Sequence, residues 1–173
     1  LLVIGMGGSG TYAAMSAAEN GVQVLAIDKM GKYGGTTSLT SEVMAVNPTR
    51  IQNDHNDGKD WIDKAAMRKA WLDYTEGDAK TAMVDLLLDK SGEALDWLVY
   101  EHGYEFDYTP KTGFTAADVY PCKYQFMPNT IGANKAYIAK YFDGIYEDYT
   151  DLGGKYMLET EAYDLITDAK GNV

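Results

Sequence analysis

The chain has 173 residues, of which 46% are hydrophobic, and this is enough for a core of ordinary domain size. Its formal net charge of −11 at pH 7 argues against nucleic acid or an anionic membrane surface as a partner, because the field of the chain repels phosphate. No apolar run approaches the roughly 20 residues that cross a bilayer, and the single cysteine excludes an internal disulfide framework. We therefore expect a soluble chain, whose cellular compartment stays open.

A strand, a glycine-rich turn, a helix and a second strand are predicted at the start of the chain. Residues 1–4 form an apolar run typical of a buried parallel strand, and the run ends at the sequence GMGGSG of residues 5–10. Small residues predict a helix over residues 11–20 with Gly21 as its C-terminal cap, and residues 22–27 predict the next strand. This order of elements indicates an α/β fold with a parallel sheet and helices.

The glycine spacing and one acidic residue predict a dinucleotide-binding site. Gly5 permits a tight turn, Gly7 leaves room for a pyrophosphate, and Gly10 lets helix and strand pack closely. Free N–H groups at the start of the helix, together with its dipole, favour phosphate. Asp28 lies eighteen residues after Gly10, at the end of the second strand, where a carboxylate accepts hydrogen bonds from ribose hydroxyls and repels a 2′-phosphate.

The next segment, DKMGKYGGTT at residues 28–37, resembles the FAD-binding flavoproteins of the fumarate reductase and succinate dehydrogenase superfamily. Those proteins carry an acid-Lys pair, a short spacer, and then Gly-Gly-Asn-Ser or a near variant. The resemblance implies a Rossmann-like FAD-binding domain of the glutathione reductase type. It also implies that Gly34 and Gly35 pass close to the FAD pyrophosphate and that residues 36–42 run beside the flavin ring. Glu42 and Val43 stand where the family has Gly-Gly.

The glycine loop and the resemblance together predict which residues contact FAD. They are Gly5, Gly7, Gly8, Ser9, Gly10, Asp28, Lys29, Met30, Gly34, Gly35, Thr36, Thr37, Thr40, Ser41, Glu42 and Ala162. Ala162 is included because residues 160–166 resemble a strand of the family whose backbone touches adenine. Succinate dehydrogenases attach FAD to a histidine after the second glycine pair, and residues 36–46 contain none. We therefore expect FAD to be bound noncovalently.

The rest of the chain is predicted to be mainly helical. Apolar residues at helical spacing predict helices over residues 57–76, 78–101 and 130–150. Residues 103–106 predict a short return strand, and residues 107–128, rich in Tyr, Pro and Gly, predict a loop. A small β element is expected near the C-terminus. We interpret residues 1–173 as the N-terminal portion of one FAD-binding domain, with the substrate-capping domain and the C-terminal half of the FAD-binding domain outside the chain.

The resemblance implies an FAD-dependent oxidoreductase that reduces or forms an activated C–C double bond by hydride transfer from the flavin. The partner is then a small molecule with such a bond, and the electron donor stays open. In this family an arginine of the capping domain delivers the proton, so the catalytic residues of the protein stay unidentified and the chain alone is expected to be inactive.

Two other functions remain open at this stage. One is an NAD-binding dehydrogenase domain, which has the same first glycine loop but no need for the Gly34-Gly35 segment. The other is a noncatalytic structural module. Disulfide reductases are excluded, because they need a cysteine pair after the second glycine pair and Cys122 stands alone. His55 and His102 lie far apart in the sequence without supporting ligands, so no metal site is predicted.

Overall fold

The structure is a computed structural model that describes residues 1–40, 42–112, 121–126 and 135–171. Its elements in chain order are β1 (Leu2–Ile4), α1 (Gly8–Glu19), β2 (Leu25–Ile27), a 3₁₀ helix (Gly35–Leu39), β3 (Glu42–Met44), α2 (Thr49–His55), α3 (Lys64–Tyr74), α4 (Thr81–Tyr100), β4 (Phe106–Thr112), β5 (Pro121–Phe126), α5 (Lys135–Asp151) and β6 (Lys155–Met157). The chain divides into two compact units. The first unit combines Leu1–Thr40 with Asn134–Val173, and the second is Ser41–Ala133.

The first unit contains a parallel sheet with the strand order β1-β2-β6. Helix α1 packs against β1, β2 and α5, and it buries the small or flexible side chains Ala14, Met15 and Ala18. Helix α1 ends at Glu19, and Gly21, whose φ is +75°, follows as the predicted glycine cap. The amides of Gly21 and Val22 donate to carbonyl oxygens of the last helical turn. This pair of hydrogen bonds is typical of a helix end capped by glycine. The predicted strand-helix-strand order and the α/β fold class are confirmed.

Three features of the first unit differ from the sequence prediction. Strand β2 covers only Leu25–Ile27 of the predicted residues 22–27. Helix α1 begins at Gly8, inside the glycine loop, rather than at residue 11. The predicted strand at residues 160–166 is wrong, since this stretch contains no assigned strand. The reason is that β6 already occupies the free edge of β2, so the following segment passes the end of the sheet rather than joining it. Helix α5 confirms the described part of the helix predicted at residues 130–150, whose first five residues lie outside the described ranges.

The second unit contains α2, α3, α4 and an antiparallel sheet with the strand order β3-β5-β4. Helices α3 and α4 meet around a buried apolar cluster formed by Val46, Ile62, Met67, Val84 and Leu88. Helix α4 matches the prediction over residues 78–101 closely, because its apolar stripe is long and regular.

The second unit differs from the sequence prediction in four places. The return strand predicted at residues 103–106 begins only at Phe106 and continues to Thr112 as β4. The helix predicted at residues 57–76 begins only at Lys64, because Asp57 and Gly58 have positive φ values of 50° and 71°. Asp63 then caps α3 by accepting the amides of Ala65 and Ala66. Helix α2 was not predicted. The loop predicted at residues 107–128 contains most of β4 and all of β5 instead. These residues have the composition of a loop, but hydrogen bonding between the two strands stabilises an extended conformation. Residues 113–120 and 127–128 of that loop lie outside the described ranges.

Across the described ranges, no helix combines the length and the apolar character needed to span a membrane.

Candidate functional site

The first glycine loop turns from β1 into α1 at the end of the parallel sheet. Gly5 has a φ of +94°, a conformation that favours glycine, and its amide donates to the carbonyl oxygen of Ile27 at 2.8 Å. A Cβ at Gly10 would overlap the carbonyl oxygen of Gly5, so only glycine permits this approach of helix and strand. A Cβ at Gly7 would meet nothing nearer than Gly35 Cα, at 4.0 Å. The backbone therefore leaves open space at Gly7, immediately before the helix.

The second glycine loop lies directly beside the first. The amide of Gly34 donates to the carbonyl oxygen of Met6 at 2.7 Å, and Gly34 forms a parallel bridge with Gly7. A Cβ at Gly35, whose φ is +49°, would lie 3.2 Å from Gly7 Cα. Thr37 Oγ1 accepts the amide of Gly8 at 3.3 Å. The fold thus brings the two glycine pairs into contact at the N-terminus of α1.

Asp28 organises the backbone around both loops. Its Oδ2 accepts the amide of Met6 at 2.7 Å, and its Oδ1 accepts the amide of Met30 at 2.8 Å. A carboxylate offers about four lone-pair positions, so each oxygen keeps capacity for another donor. The carboxylate thus holds the entrance to the first loop and also faces the pocket described next.

A pocket of about 290 Å³ opens beside Asp28, at the carboxyl ends of β1 and β2. It is lined by Ile4, Gly5, Ile27, Asp28, Lys29, Thr160, Glu161 and Ala162. The segment after β6 closes one side, because the amide of Thr160 donates to the carbonyl oxygen of Asp28 at 2.8 Å and the amide of Glu159 donates to that of Met30 at 3.0 Å. Ala162 therefore lies in one pocket with Asp28 and Lys29, although the strand predicted around it is absent.

The first unit holds fourteen of the sixteen residues predicted to contact the cofactor. They are Gly5, Gly7, Gly8, Ser9, Gly10, Asp28, Lys29, Met30, Gly34, Gly35, Thr36, Thr37, Thr40 and Ala162. Thr36 and Thr37 are part of the 3₁₀ helix, and the hydroxyl of Thr40 donates to the carbonyl oxygen of Thr37 at 3.1 Å. Ser41 lies outside the described residues, and Glu42 begins β3 in the second unit.

Sequence reasoning missed a group of tyrosines behind the glycine loops. Tyr33 stacks on Tyr146 of α5 with ring centroids 4.0 Å apart, and its hydroxyl donates to Asp143 Oδ1 at 2.6 Å. The hydroxyl of Tyr146 lies 3.0 Å from Thr11 Oγ1 in a buried contact. Burial and the neighbouring carboxylate raise the pKa of Tyr33, and burial raises the pKa of Tyr146 to about 12. The only sequence signal was the Tyr content, since the partners are far apart along the chain.

The histidines of the second unit have aromatic neighbours. His55 stacks on Tyr108 with ring centroids 4.3 Å apart, and His102 meets Trp97 edge-on at 4.4 Å. Within the described ranges, no three His, Cys, Asp or Glu side chains are grouped as a metal ion would require.

A larger pocket, of about 530 Å³, lies in the second unit between α2 and α4. Four carboxylate residues line it, together with Arg50 and Trp97. Arg50 pairs with Glu101 and stacks over the ring of Tyr100, 3.9 Å from its centroid. The acidic lining distinguishes this pocket from the glycine-rich pocket of the first unit and makes it a poor site for a phosphate.

The strand-loop-helix unit and the paired glycine loops define the chain as a dinucleotide-binding protein of the Rossmann-like class. Residues 1–172 match a family model described as the FAD binding domain, and the chain belongs to this family. FAD is therefore the cofactor indicated for the domain, as the sequence predicted, and the match favours FAD over the NAD-binding alternative. No acidic residue stands in the first turn of α1, which agrees with an anionic group at that helix end.

Two curated relatives come from Eggerthella lenta. A digoxin reductase is 28% identical over 145 residues, which is 80% of this chain and 26% of that protein. A urocanate reductase is 30% identical over 105 residues, or 60% of this chain and 16% of that protein. The chain thus spans about a quarter or less of the length of these relatives.

Two solved structures share the fold. The 3-ketosteroid-Δ4-(5α)-dehydrogenase of Rhodococcus jostii RHA1 aligns with a TM-score of 0.74 at 18% identity, covering 99% of this chain and 40% of that one. A flavocytochrome c3 fumarate reductase aligns with a TM-score of 0.72 at 19% identity, covering 96% of this chain and 28% of that one. Together with the family match over residues 1–172 and the curated relatives, this shared fold confirms the resemblance to FAD-binding flavoproteins of the fumarate reductase superfamily.

Proposed function

We propose that this chain binds FAD noncovalently in its first unit, and that the whole protein transfers hydride between the flavin and an activated C–C double bond. The observation that carries the proposal is the contact between the two glycine loops. It leaves open space at Gly7 in front of the N-terminus of α1, where helix amides and the helix dipole stabilise a pyrophosphate.

The pocket beside Asp28 fits the adenosine half of the cofactor. Each carboxylate oxygen of Asp28 accepts one backbone amide and has a further lone pair. These free lone pairs can accept hydrogen bonds from the ribose hydroxyls. Thr160 and Ala162 supply the opposite wall. Lys29 lines the same pocket and offers a positive charge near the phosphates.

The proposed contact residues are those of the first unit, with Gly34, Gly35, Thr36 and Thr37 on the flavin side of the pyrophosphate. Ser41 and Glu42 remain predictions from the sequence. Noncovalent attachment is proposed because the stretch from residue 36 to residue 46 has no histidine.

The double-bond chemistry follows from the family and from the names of the relatives. Bound FAD supplies a hydride donor or acceptor, and the described residues of this chain hold its pyrophosphate and ribose so that the flavin is fixed in place. Urocanate reductase and digoxin reductase are named for two very different molecules, so the proposal extends to the class of small molecules with an activated double bond and not to one substrate. The electron donor is left open.

Titration with FAD and with NAD tests the cofactor site. We expect saturable binding of FAD and at least tenfold weaker binding by Gly7→Val, because a valine side chain fills the open space in front of α1. The extended backbone at Gly7, with φ −77° and ψ −174°, suits valine, so the variant should fold. Ser16→Val adds the same side chain to the exposed face of α1 and is the matched control.

The outcomes separate the alternatives clearly. Equal FAD affinity in Gly7→Val and Ser16→Val would exclude a pyrophosphate at Gly7, and preference for NAD would favour the dehydrogenase interpretation. Binding of neither dinucleotide would favour the structural module. Turnover is tested on the whole protein: anaerobically reduced flavin should be reoxidised by urocanate, fumarate or a cyclic enone and not by the saturated analogue of the same molecule.

A further inference from the structure

The carbonyl oxygen of Met6, in the first glycine loop, accepts hydrogen bonds from the second glycine loop and from α1. It accepts the amide of Gly34 at 2.7 Å and the hydroxyl of Thr11 at 3.3 Å. A carbonyl oxygen has two lone pairs, so both are used. Met6 is 0% exposed and Thr11 is 1% exposed, and water does not compete for these bonds. The direction of the Met6 carbonyl therefore sets the position of Gly34 relative to the first loop.

A tyrosine of α5 completes this arrangement. The Tyr146 hydroxyl lies 3.0 Å from Thr11 Oγ1. Because Thr11 has one hydroxyl proton and donates it to Met6, the proton between Thr11 and Tyr146 comes from the tyrosine. Tyr146 is 3% exposed, and its ring stacks on Tyr33, the residue immediately before Gly34. A buried relay thus runs from Tyr146 through Thr11 to the Met6 carbonyl and the Gly34 amide.

We propose that Tyr146 is a positioning residue for FAD, which acts through Thr11 to hold the two glycine loops at the spacing that the pyrophosphate requires. This inference rests on the proposed function, because the loops are the proposed pyrophosphate site. The contact that carries the role of Tyr146 is that of its hydroxyl with Thr11 Oγ1. Its effect passes through two buried hydrogen bonds, the first of which joins residues 135 positions apart in the chain.

The same helix provides a matched control. Tyr149 is also buried, and its hydroxyl shares its one proton between the carbonyl oxygens of Lys155 at 2.8 Å and Val24 at 3.1 Å. These bonds tie α5 to the beginnings of β2 and β6, at the other end of the sheet from the glycine loops. Tyr149→Phe therefore removes a buried hydroxyl from the same helix without touching the relay.

The experiment compares the FAD affinity of the protein with that of Tyr146→Phe, Thr11→Val, Thr11→Ser and Tyr149→Phe. Losing a buried hydroxyl leaves its partner without a hydrogen bond, so we expect Tyr146→Phe and Thr11→Val to bind FAD about tenfold more weakly. Thr11→Ser keeps the hydroxyl and should restore nearly full affinity. Tyr149→Phe should lower the unfolding temperature but leave FAD affinity within about twofold of the parent.

A second readout needs no cofactor. Hydrogen exchange of the Gly34 amide in the FAD-free protein should be faster in Tyr146→Phe than in Tyr149→Phe, because only the first loosens the Met6 carbonyl. Equal exchange in both variants, or equal FAD affinity in both, overturns the positioning role. If the parent binds no FAD, the proposed function fails, while the exchange at Gly34 still decides whether the relay holds the loops.

Discussion

The glycines of this chain differ in whether their surroundings leave space for a side chain. Gly7 has open space around its Cα, whereas a Cβ at Gly10 would overlap a neighbouring backbone. Gly92, in the middle of α4, is a third case: a Cβ there would overlap the carbonyl oxygen of Val46 and lie 2.8 Å from that of Asn47. Residue identity and helix propensity alone do not distinguish these positions.

Gly92→Ala should therefore destabilise the protein, although alanine is the better helix former by about 1 kcal/mol. We expect a net loss of about 2 kcal/mol in the free energy of unfolding, because α4 must move away from Val46 and Asn47. Denaturant unfolding measures the change. A gain in stability would mean that propensity decides at this position and that α4 does not pack against this backbone as described.

At the scale of elements, α2 depends on its neighbour for its N-terminal cap. The residue before the helix is Pro48, which makes no side-chain cap. Asp96 of α4 instead accepts the amides of Arg50 at 2.9 Å and Ile51 at 3.1 Å, and it is only 7% exposed. A carboxylate at a helix N-terminus is favoured by the helix dipole. This cap from α4 explains why the sequence around α2 carries no start signal and why the helix was not predicted.

Asp96→Ala should cost about 3 kcal/mol of unfolding free energy, because two helix amides lose a charged acceptor in a buried position. The control is Glu93→Ala on the same helix, whose carboxylate is 71% exposed and pairs with Lys90. Thermal unfolding of both variants gives the comparison. If the two variants melted at the same temperature, the capping role of Asp96 would be refuted.

At the scale of the whole molecule, the first unit is built from both ends of the chain, and a cluster of tyrosine rings lies where they meet. Tyr33 comes from the N-terminal part, and Tyr146 and Tyr156 come from the C-terminal part. Tyr146 stacks on Tyr33 and meets Tyr156 edge-on with ring centroids 5.3 Å apart. Burial favours the uncharged phenol, so the pKa values of Tyr33 and Tyr146 are raised.

The free energy of unfolding should therefore begin to fall at alkaline pH before the phenol of Tyr146 ionises in the folded protein. Tyr146 ionises at its ordinary pKa of 10.0 when unfolded and at about 12 when folded, so its contribution is complete below pH 10 and is lost as the pH rises towards 12. Denaturant unfolding across this range should show a shallower pH dependence in Tyr146→Phe than in the parent. Tyr163→Phe removes a phenol that is 93% exposed and should keep the slope of the parent. Parallel slopes in all three proteins would contradict the burial of Tyr146.

The sequence alone determined the strand-loop-helix unit, the roles of Gly5 and Gly10, and the family. These features depend on residues close together in the chain, and the spacing of glycines and Asp28 reflects local backbone geometry. The same reasoning failed where structure depends on distant partners, as in the strand predicted at residues 160–166 and the loop predicted at residues 107–128.

Only the tertiary structure decided that the Met6 carbonyl of the first glycine loop accepts the Gly34 amide of the second, that Asp28 binds backbone amides on both sides, and that Tyr146 reaches Thr11. Each of these contacts joins elements that become neighbours only when β1 and β2 pair and α5 packs against α1. A single sequence carries no signal for such pairs, because hydrogen bonding and burial across long separations are set by which elements share a sheet or a face.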